Sequence, residues 1–262
     1  MGVLPWVWWY GFRRHTAYAA ASLAEALTNT GFGFMRAYVL IALWHERPVL
    51  GGYDVNDAVT FCFLTQALIG PLQIFGGMDL AQRIRTGDVA IDLHRPVGLQ
   101  GWWLADDLGR ATGSLVLRGG PPLLAGALVF PLSWPGPAGL AAFAASVLLG
   151  ALVGFGLRYV VALGMFWLHD DRGLNAVMLV MSLFFSGMTL PLVVFPGRLG
   201  DVAHALPWAA QLQVPADVFL GRHTGTDLLG ALAFQAAWAA ALLAAGALLT
   251  RAARRKLVIH GG

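Results

Sequence analysis

The residue types that most often perform chemistry occur in this sequence without the spacing that catalysis or metal binding requires. The seven histidines are scattered, with no HxxxH pair and no histidine at ligand spacing from a carboxylate. The acid pairs Asp106-Asp107 and Asp170-Asp171 fall at predicted helix ends, where solvated charge is the usual role. GxSxG and HExxH are missing from the sequence. We therefore predict no active site and no metal on this chain.

Nucleotide chemistry is also unexpected on this chain. Lys256 is the only lysine, and no GxxxxGK[ST] sequence surrounds it, so the chain has no P-loop of its own. Any ATP hydrolysis would therefore take place on a partner. Cys62 is the only cysteine, which rules out an internal disulfide, and it is most simply a small apolar residue in a helix.

The composition predicts that the supporting elements lie in a membrane. The 262 residues are 58% hydrophobic and 12% charged, where a soluble domain carries about 25% charged residues. Apolar runs recur from the first quarter of the chain to the last, with no polar block large enough for a separate soluble core. We expect one all-α integral membrane domain over residues 1–262.

Six windows have the roughly 20 apolar residues needed to cross the hydrocarbon core. They are residues 23–44, 58–76, 111–132, 138–168, 173–195 and 228–249. With both chain ends on one side, the inner segments hold most of the 17 basic residues, and the outer loops hold only Arg47, Arg198 and Arg222. This asymmetry follows the positive-inside tendency, so both ends are expected in the cytoplasm.

Two segments outside the spans are predicted to be helical. Residues 5–21 combine tryptophans with Arg13 and Arg14, which is typical of an interfacial elbow helix at headgroup level. The outer loop, residues 196–227, is too long and too apolar to be structureless. We predict that it forms short re-entrant helices before the last span.

Arginines inside the predicted spans differ in how easily they reach water. Arg158 lies about one bilayer thickness from the start of its span, so we expect it to snorkel to the inner interface, and Arg118 is within reach of the same side. Arg36 lies in the outer half if the first span ends at Trp44, and nearer the inner half if that span continues to Leu50. Since ionisable groups inside spans mark function by default, Arg36 is the candidate for a cavity-lining or intersubunit charge.

Glu25 is the only acidic residue predicted within a span. It lies about three helical turns before Arg36 on the same predicted helix. The two charges would therefore pair only across helices or subunits.

Four local patterns follow one another along the chain. They are IRTGDVAIDLHRP at residues 84–96, FFSGMTLPLVVFP at residues 184–196, LPWAAQLQVPADVFLG at residues 206–221, and His260-Gly261-Gly262 after a basic cluster. As an ordered set they resemble the ABC-2 type permease family. More narrowly, they resemble its six-span branch of similar length with an IRxGxxxxxLxRP cytoplasmic loop, and the resemblance covers nearly the whole chain.

The resemblance implies a permease in a bacterial cytoplasmic membrane that has no ATPase of its own. Such a permease works as a dimer with an identical or similar permease subunit. It binds two copies of a separate nucleotide-binding protein, which holds the ATP and Mg²⁺. We do not expect nucleic acid among its partners.

In the resembling family, the loop between spans two and three carries the coupling helix that docks on the ATPase, and this maps to residues 79–96. Gly87 is expected to break the segment and Pro96 to end its second helix, leaving a short lever. The residues predicted to couple to the ATPase are Arg83, Ile84, Arg85, Gly87, Asp88, Asp92, Leu93, Arg95 and Pro96. Judged from the residues alone, a solvated basic loop beside lipid headgroups fits about equally well.

The fifth predicted span combines small residues with prolines. Ser182, Ser186 and Gly187 permit close helix approach, and Pro191 loosens the outer end of the helix. The resemblance implies that this region lies near the dimer interface and the outer gate, which extends to Pro196. Packing within one subunit around a kink explains the same residues.

These features together predict the transmembrane subunit of an ATP-binding-cassette exporter. The scarcity of charge inside the spans favours a hydrophobic or amphipathic cargo, because a hydrophilic cargo needs a wet polar path. A gradient-driven secondary transporter and a non-transporting assembly or sensor subunit are the alternatives. The first of these would need a carboxylate near the midplane, where the sequence offers only Glu25 near the start of its span.

Overall fold

The computed structural model describes residues 2–17, 19–48, 50–168, 170 and 172–257, and within these ranges the chain is almost entirely helical. The α-helices are α1 Leu4–Thr16, α2 Ala19–Glu46, α3 Val55–Leu72, α4 Asp79–Thr86, α5 Val89–Leu93, α6 Leu99–Ser114, α7 Gly120–Val129, α8 Pro137–Leu163, α9 Met165–Leu168, α10 Arg172–Phe185, α11 Gly197–Ala205, α12 Val214–Phe219 and α13 Gly225–Leu257. Leu115–Gly119 and Ala209–Gln213 are π-helical turns, and Leu192–Val194 is a 3-10 turn. Asp171 of the second acid pair and the His260-Gly261-Gly262 pattern lie outside the described residues.

Three helical stretches in the described part of the chain are long and apolar enough to cross a membrane. They are α3, the stretch Pro137–Leu168 formed by α8 and α9, and Gly225–Lys256 of α13. These stretches match the second, fourth and sixth predicted spans. The fifth window contains α10, which is apolar but has 14 residues, and the first and third windows fall in α2 and in α6–α7, which do not meet the same standard. The chain is therefore a multi-pass helical membrane protein, while the number six stays a prediction.

The end of α10 departs from the predicted window. The helix stops at Phe185 rather than continuing to residue 195. Gly187 adopts φ +84°, a left-handed conformation outside any helix, and Pro191 brings no N–H to continue one. The chain then passes through a 3-10 turn before α11 begins.

α1 lies along α6 at a distance that only glycine permits. A Cβ atom at Gly109 would overlap the carbonyl oxygen of Trp8. α6 begins at Leu99, well before the predicted third window. The aromatic side chains that α1 leaves exposed are Trp6, Trp8, Trp9 and Tyr10. Such a surface suits the headgroup level, although the interfacial location of this elbow stays a prediction.

The apolar core is centred on α3. Phe61, Phe63 and Leu64 of this helix are fully buried, in one cluster with Trp44 of α2 and Phe219 of α12. In lipid, close packing rather than removal from water holds helices together. The dense packing of α3 therefore makes it the axis around which the other helices are arranged.

The outer segment, residues 196–227, contains α11, a π-helical turn and α12. Residues 209–219 are buried, with Leu212 and Ala216 in the same cluster as α3. The segment is thus helical and part of the core. Whether its helices return into the bilayer stays a prediction.

Candidate functional site

Residues 79–96, which we call the lever, fold into two short helices joined by a sharp turn. α4 ends where Gly87 adopts φ +85°, and the Gly87 N–H donates to the Ile84 carbonyl. α5 then covers Val89–Leu93, and Pro96 lies just beyond its end. The helix break therefore falls at Gly87, where the sequence pattern placed it.

The buried carboxylate of Asp92 holds the two lever helices together through ion pairs. Arg83 donates to Asp92 from Nε at 2.6 Å and from Nη2 at 2.9 Å, and Arg95 lies 2.9 Å from the same carboxylate. The Asp92 side chain is fully buried, and hydrogen bonding to it raises the pKa of Arg83. Asp92 is therefore an internal contact of the lever, whereas the sequence prediction grouped it with the residues that couple to the ATPase. Arg83 and Arg95 are engaged by it.

Other predicted contact residues remain on the outer surface of the lever. Arg85 is exposed and donates to Gln82, while the exposed Asp88 accepts from the Thr86 hydroxyl at 2.8 Å. Ile91 is 64% exposed. An exposed isoleucine flanked by charges is suited to anchor a protein partner. Two further predicted residues, Ile84 and Leu93, are partly buried at the base of the lever.

The base of the lever is packed on α8 and α9. Leu80 and Val89 are buried in one apolar cluster with Phe155 of α8 and Phe166 of α9. A displacement of the lever would therefore be transmitted to α8 by direct packing.

A buried ion cluster next to the lever joins α6 to α8. Arg158 donates to both oxygens of Asp107, at 3.0 and 2.9 Å, and Arg110 donates to the same carboxylate at 2.9 Å. Burial by itself would raise the pKa of Asp107, but the two guanidinium groups lower it to about 2. Two predictions are wrong here: Arg158 does not snorkel to the surface, and Asp107 is not solvated. Their pairing satisfies both charges inside the protein.

The same cluster forms hydrogen bonds with the C-terminal end of α3. The chain continues from there to the lever. Arg110 donates to the carbonyl oxygens of Gly70 and Pro71 at 2.8 and 3.2 Å, which satisfies the C-terminal carbonyls of the helix. Gln73 follows with φ 45° and accepts from Arg158 at 2.9 Å. α3, α6 and α8 therefore meet at one polar junction beside the lever.

Arg36, the predicted cavity charge, links α2 to the segment after α10. Its guanidinium donates to the Thr65 hydroxyl at 3.4 Å and to the Thr189 carbonyl at 3.3 Å, while its buried Nε has no hydrogen-bond partner. No ion pair of Arg36 is present among the described residues. Glu25 does pair across helices, but its partner is Arg118.

The predicted gate residues fall into two groups. Ser182 and Ser186 are buried and linked by a hydrogen bond from the Ser186 hydroxyl to the Ser182 carbonyl. Gly187 faces Gln213, since a Cβ atom at Gly187 would overlap the Gln213 side-chain oxygen. Pro191 directly precedes Leu192, whose N–H donates to the same oxygen at 3.0 Å, and Pro196 directly precedes α11.

Sequence reasoning missed the polar network around Gln213. Its amide nitrogen donates to the Tyr53 hydroxyl at 3.1 Å and to Asp217 at 3.0 Å, and the Tyr53 hydroxyl also bonds to Asp217. Arg222 pairs with Asp57 and lies 5.0 Å from the centroid of the Tyr53 ring. This network fastens the outer segment to the start of α3.

The available signal was the pair of glutamines in AAQLQVPADVF. The π-helical turn Ala209–Gln213 buries both of them, and Gln211 donates to the Leu72 carbonyl at 2.9 Å. π-helical turns are frequent at functional sites. Two polar residues in an apolar segment therefore marked a buried junction that helix periodicity alone does not reveal.

The fold and these contacts define a multi-pass helical membrane protein with a two-helix lever packed on α8 and a polar network that fastens its outer segment. A family model described as ABC-2 family transporter protein matches residues 30–261. The chain therefore belongs to the ABC-2 family of transporter proteins, which identifies it as a permease component and confirms the resemblance seen in the sequence. Comparison with curated proteins and with solved structures gave no match.

Proposed function

We propose that this chain is the transmembrane subunit of an ATP-driven exporter, powered by a separate ATPase that binds the lever. The observation that carries the proposal is the construction of the lever. It presents Arg85 and Ile91 outward, is held rigid by the buried Asp92, and is packed on α8. Membership of the ABC-2 family supports this reading.

In this mechanism, closure of the ATPases on ATP pushes the lever. Packing transmits the displacement to α8, and the Asp107 cluster transmits it to α6 and to the end of α3. The contacts of Gly187 and Leu192 with Gln213 would then rearrange, opening an outward path along the gate region, residues 182–196. A hydrophobic or amphipathic cargo fits a path with few unpaired charges.

The proposal includes the following assembly. Residues 1–262 form one permease domain with six spans, and two permease subunits, identical or similar, pair around the path. The complex lies in a bacterial cytoplasmic membrane with both chain ends in the cytoplasm. ATP and Mg²⁺ are held by the ATPase subunits, and this chain performs no hydrolysis itself.

Coexpression with the neighbouring genes followed by purification tests this function. The chain should bring down an ATPase of ordinary P-loop type, and vesicles containing both should move a lipophilic dye only when ATP is supplied. Movement by the purified chain from an ion gradient alone would establish the secondary transporter instead. A stable complex that moves no solute with any energy source would favour an assembly or sensor subunit.

A further inference from the structure

A cavity of about 580 Å³ lies between α2, the end of α3, α6 and the π-helical turn that follows α6, with His15 of α1 at its edge. Its lining combines cationic and polar groups with apolar ones. The lining residues that matter here are Glu25, Ile69, Phe75, Arg110, Ser114 and Arg118. A cavity with a cationic wall and apolar sides is suited to an amphiphile with an anionic head.

The two arginines of this cavity are held differently. Arg110 donates to Asp107 at 2.9 Å and to the carbonyls of Gly70 and Pro71 at 2.8 and 3.2 Å. These bonds fix its guanidinium in place, so it contributes mainly positive potential to the cavity.

Arg118 is held by one ion pair and by two long hydrogen bonds. Its Nε and Nη2 each lie 3.4 Å from the Ser22 hydroxyl, beyond the usual range for such bonds. The Arg118 side chain is 23% exposed, and that of its ion-pair partner Glu25 is 55% exposed. Because water screens the Glu25 carboxylate, the pair contributes about 1 kcal/mol or less, and a stronger anion would compete with Glu25 for Arg118.

The position of the cavity favours a lipid. The predicted orientation puts the start of α2, the end of α3 and the region of Arg110 on the inner side of the membrane, at headgroup level. The neighbouring apolar side chains are exposed on the same helical turns. These are Leu23, Leu27 and Val116. An acyl chain lying on this surface would place its head beside Arg118.

We propose that this cavity binds the phosphate head of an anionic amphiphile, with Arg118 as the contact residue and Glu25 as the group that the phosphate displaces. The inference rests on the proposed function only for the inner location of the cavity. The phosphate would gain charge-assisted hydrogen bonds that the Ser22 hydroxyl and the exposed Glu25 supply only weakly. Within the cavity, Ile69 and Phe75 supply the apolar part of the lining.

Native mass spectrometry of the purified full chain, titrated with phosphatidylglycerol or with phosphatidylcholine of the same chains, tests the site. We expect preferential retention of the anionic lipid. Arg118→Gln should weaken that retention about tenfold, as expected for loss of a hydrogen bond to a charged group. Arg251→Gln, which removes an exposed arginine at the inner end of α13, should leave it unchanged.

The variant Glu25→Gln separates ligand binding from a structural role for the ion pair. If Glu25 competes with the phosphate, this variant binds phosphatidylglycerol more tightly than the wild type. The result does not depend on Arg118→Gln, so it tests the site even where that variant fails to fold. Equal retention of both lipids, or weaker binding by Glu25→Gln, would overturn the proposal. Equal affinity for free glycerol phosphate would overturn the lipid assignment in favour of a soluble anion. Since no ATPase is present, failure of ATP-driven transport would leave this result standing.

Discussion

At the residue scale, two neighbouring carboxylates show how strongly position determines the role of a charge. Asp107 is buried between Arg158 and Arg110, whereas Asp106 pairs with Arg14, whose side chain is 55% exposed. Removing one partner from a buried ion pair leaves the other charge uncompensated, while an exposed pair is screened by water. Adjacent residues of one type are therefore expected to differ severalfold in their contribution to stability.

Asp107→Asn should lower the free energy of unfolding by about 3–5 kcal/mol, because Arg158 would stay buried with its counter-charge removed. Asp106→Asn is the matched control and should cost no more than about 1 kcal/mol. Thermal and denaturant unfolding of both variants in the same detergent provides the comparison. Equal losses would mean that the cluster does not hold α6 to α8.

The same carboxylate predicts a dependence on pH. Its pKa of about 2 in the folded protein lies below the ordinary value of 3.8, so the stabilisation is fully present above about pH 4 and is lost as the pH falls through the folded pKa. The difference in stability between the wild type and Asp107→Asn should therefore narrow between pH 4 and pH 2. If the difference in stability stays constant from pH 4 to pH 2, the loss in Asp107→Asn comes from a change in side-chain packing rather than from the lost charge.

At the element scale, the lever separates contact from rigidity. Ile91→Asp changes an exposed side chain and should abolish copurification of the ATPase while leaving the unfolding temperature of the chain unchanged. Asp92→Asn removes the negative charge that pairs with two arginines. It should lower both the amount of ATPase that copurifies and the unfolding temperature of the chain. Binding assays and unfolding curves on the two variants distinguish these roles. An ATPase that still binds the Ile91→Asp variant would remove this face from the interface.

The gate segment offers a similar test with glycines. Gly187→Ala forces an unfavourable backbone and displaces Gln213 from its partners, while Gly221→Ala forces a comparable backbone, φ +69°, with no atom within 4 Å of the new Cβ. Gly221→Ala should cost about 1–2 kcal/mol, and Gly187→Ala clearly more. Unfolding measurements on both variants test whether the contact between Gly187 and Gln213 contributes to the stability of the outer segment.

At the scale of the whole molecule, the distribution of basic residues predicts which face is cytoplasmic. Thr86 on the lever and Thr224 on the outer segment are both exposed, and Cys62 is fully buried. A membrane-impermeant thiol reagent should label Thr224→Cys in intact cells and Thr86→Cys only after lysis. The unmodified chain is the control, and the reverse pattern would invert the orientation.

Much of the architecture follows from local sequence. Runs of apolar residues predict α3, α8 and α13 because each residue contributes to membrane partition independently of distant neighbours. The turn at Gly87 is likewise local, since a left-handed residue after a helix is most easily supplied by glycine. The ordered motifs are also local, and they carry the resemblance to the ABC-2 family, while the charge asymmetry carries the predicted orientation.

Pairing across long separations came only with the folded chain. Asp107 and Arg158 are 51 residues apart and Tyr53 and Asp217 are 164 apart, and no local periodicity specifies which charge meets which. Asp92 was predicted among the residues that couple to the ATPase, and its side chain is buried, because burial depends on where α5 packs rather than on its own sequence. Composition and short-range propensity thus determine that this chain is helical, membrane-embedded and equipped with a lever. The packing of helices determines which polar groups find partners inside the protein. A buried charge is stable only where the fold brings a partner from a distant part of the chain next to it.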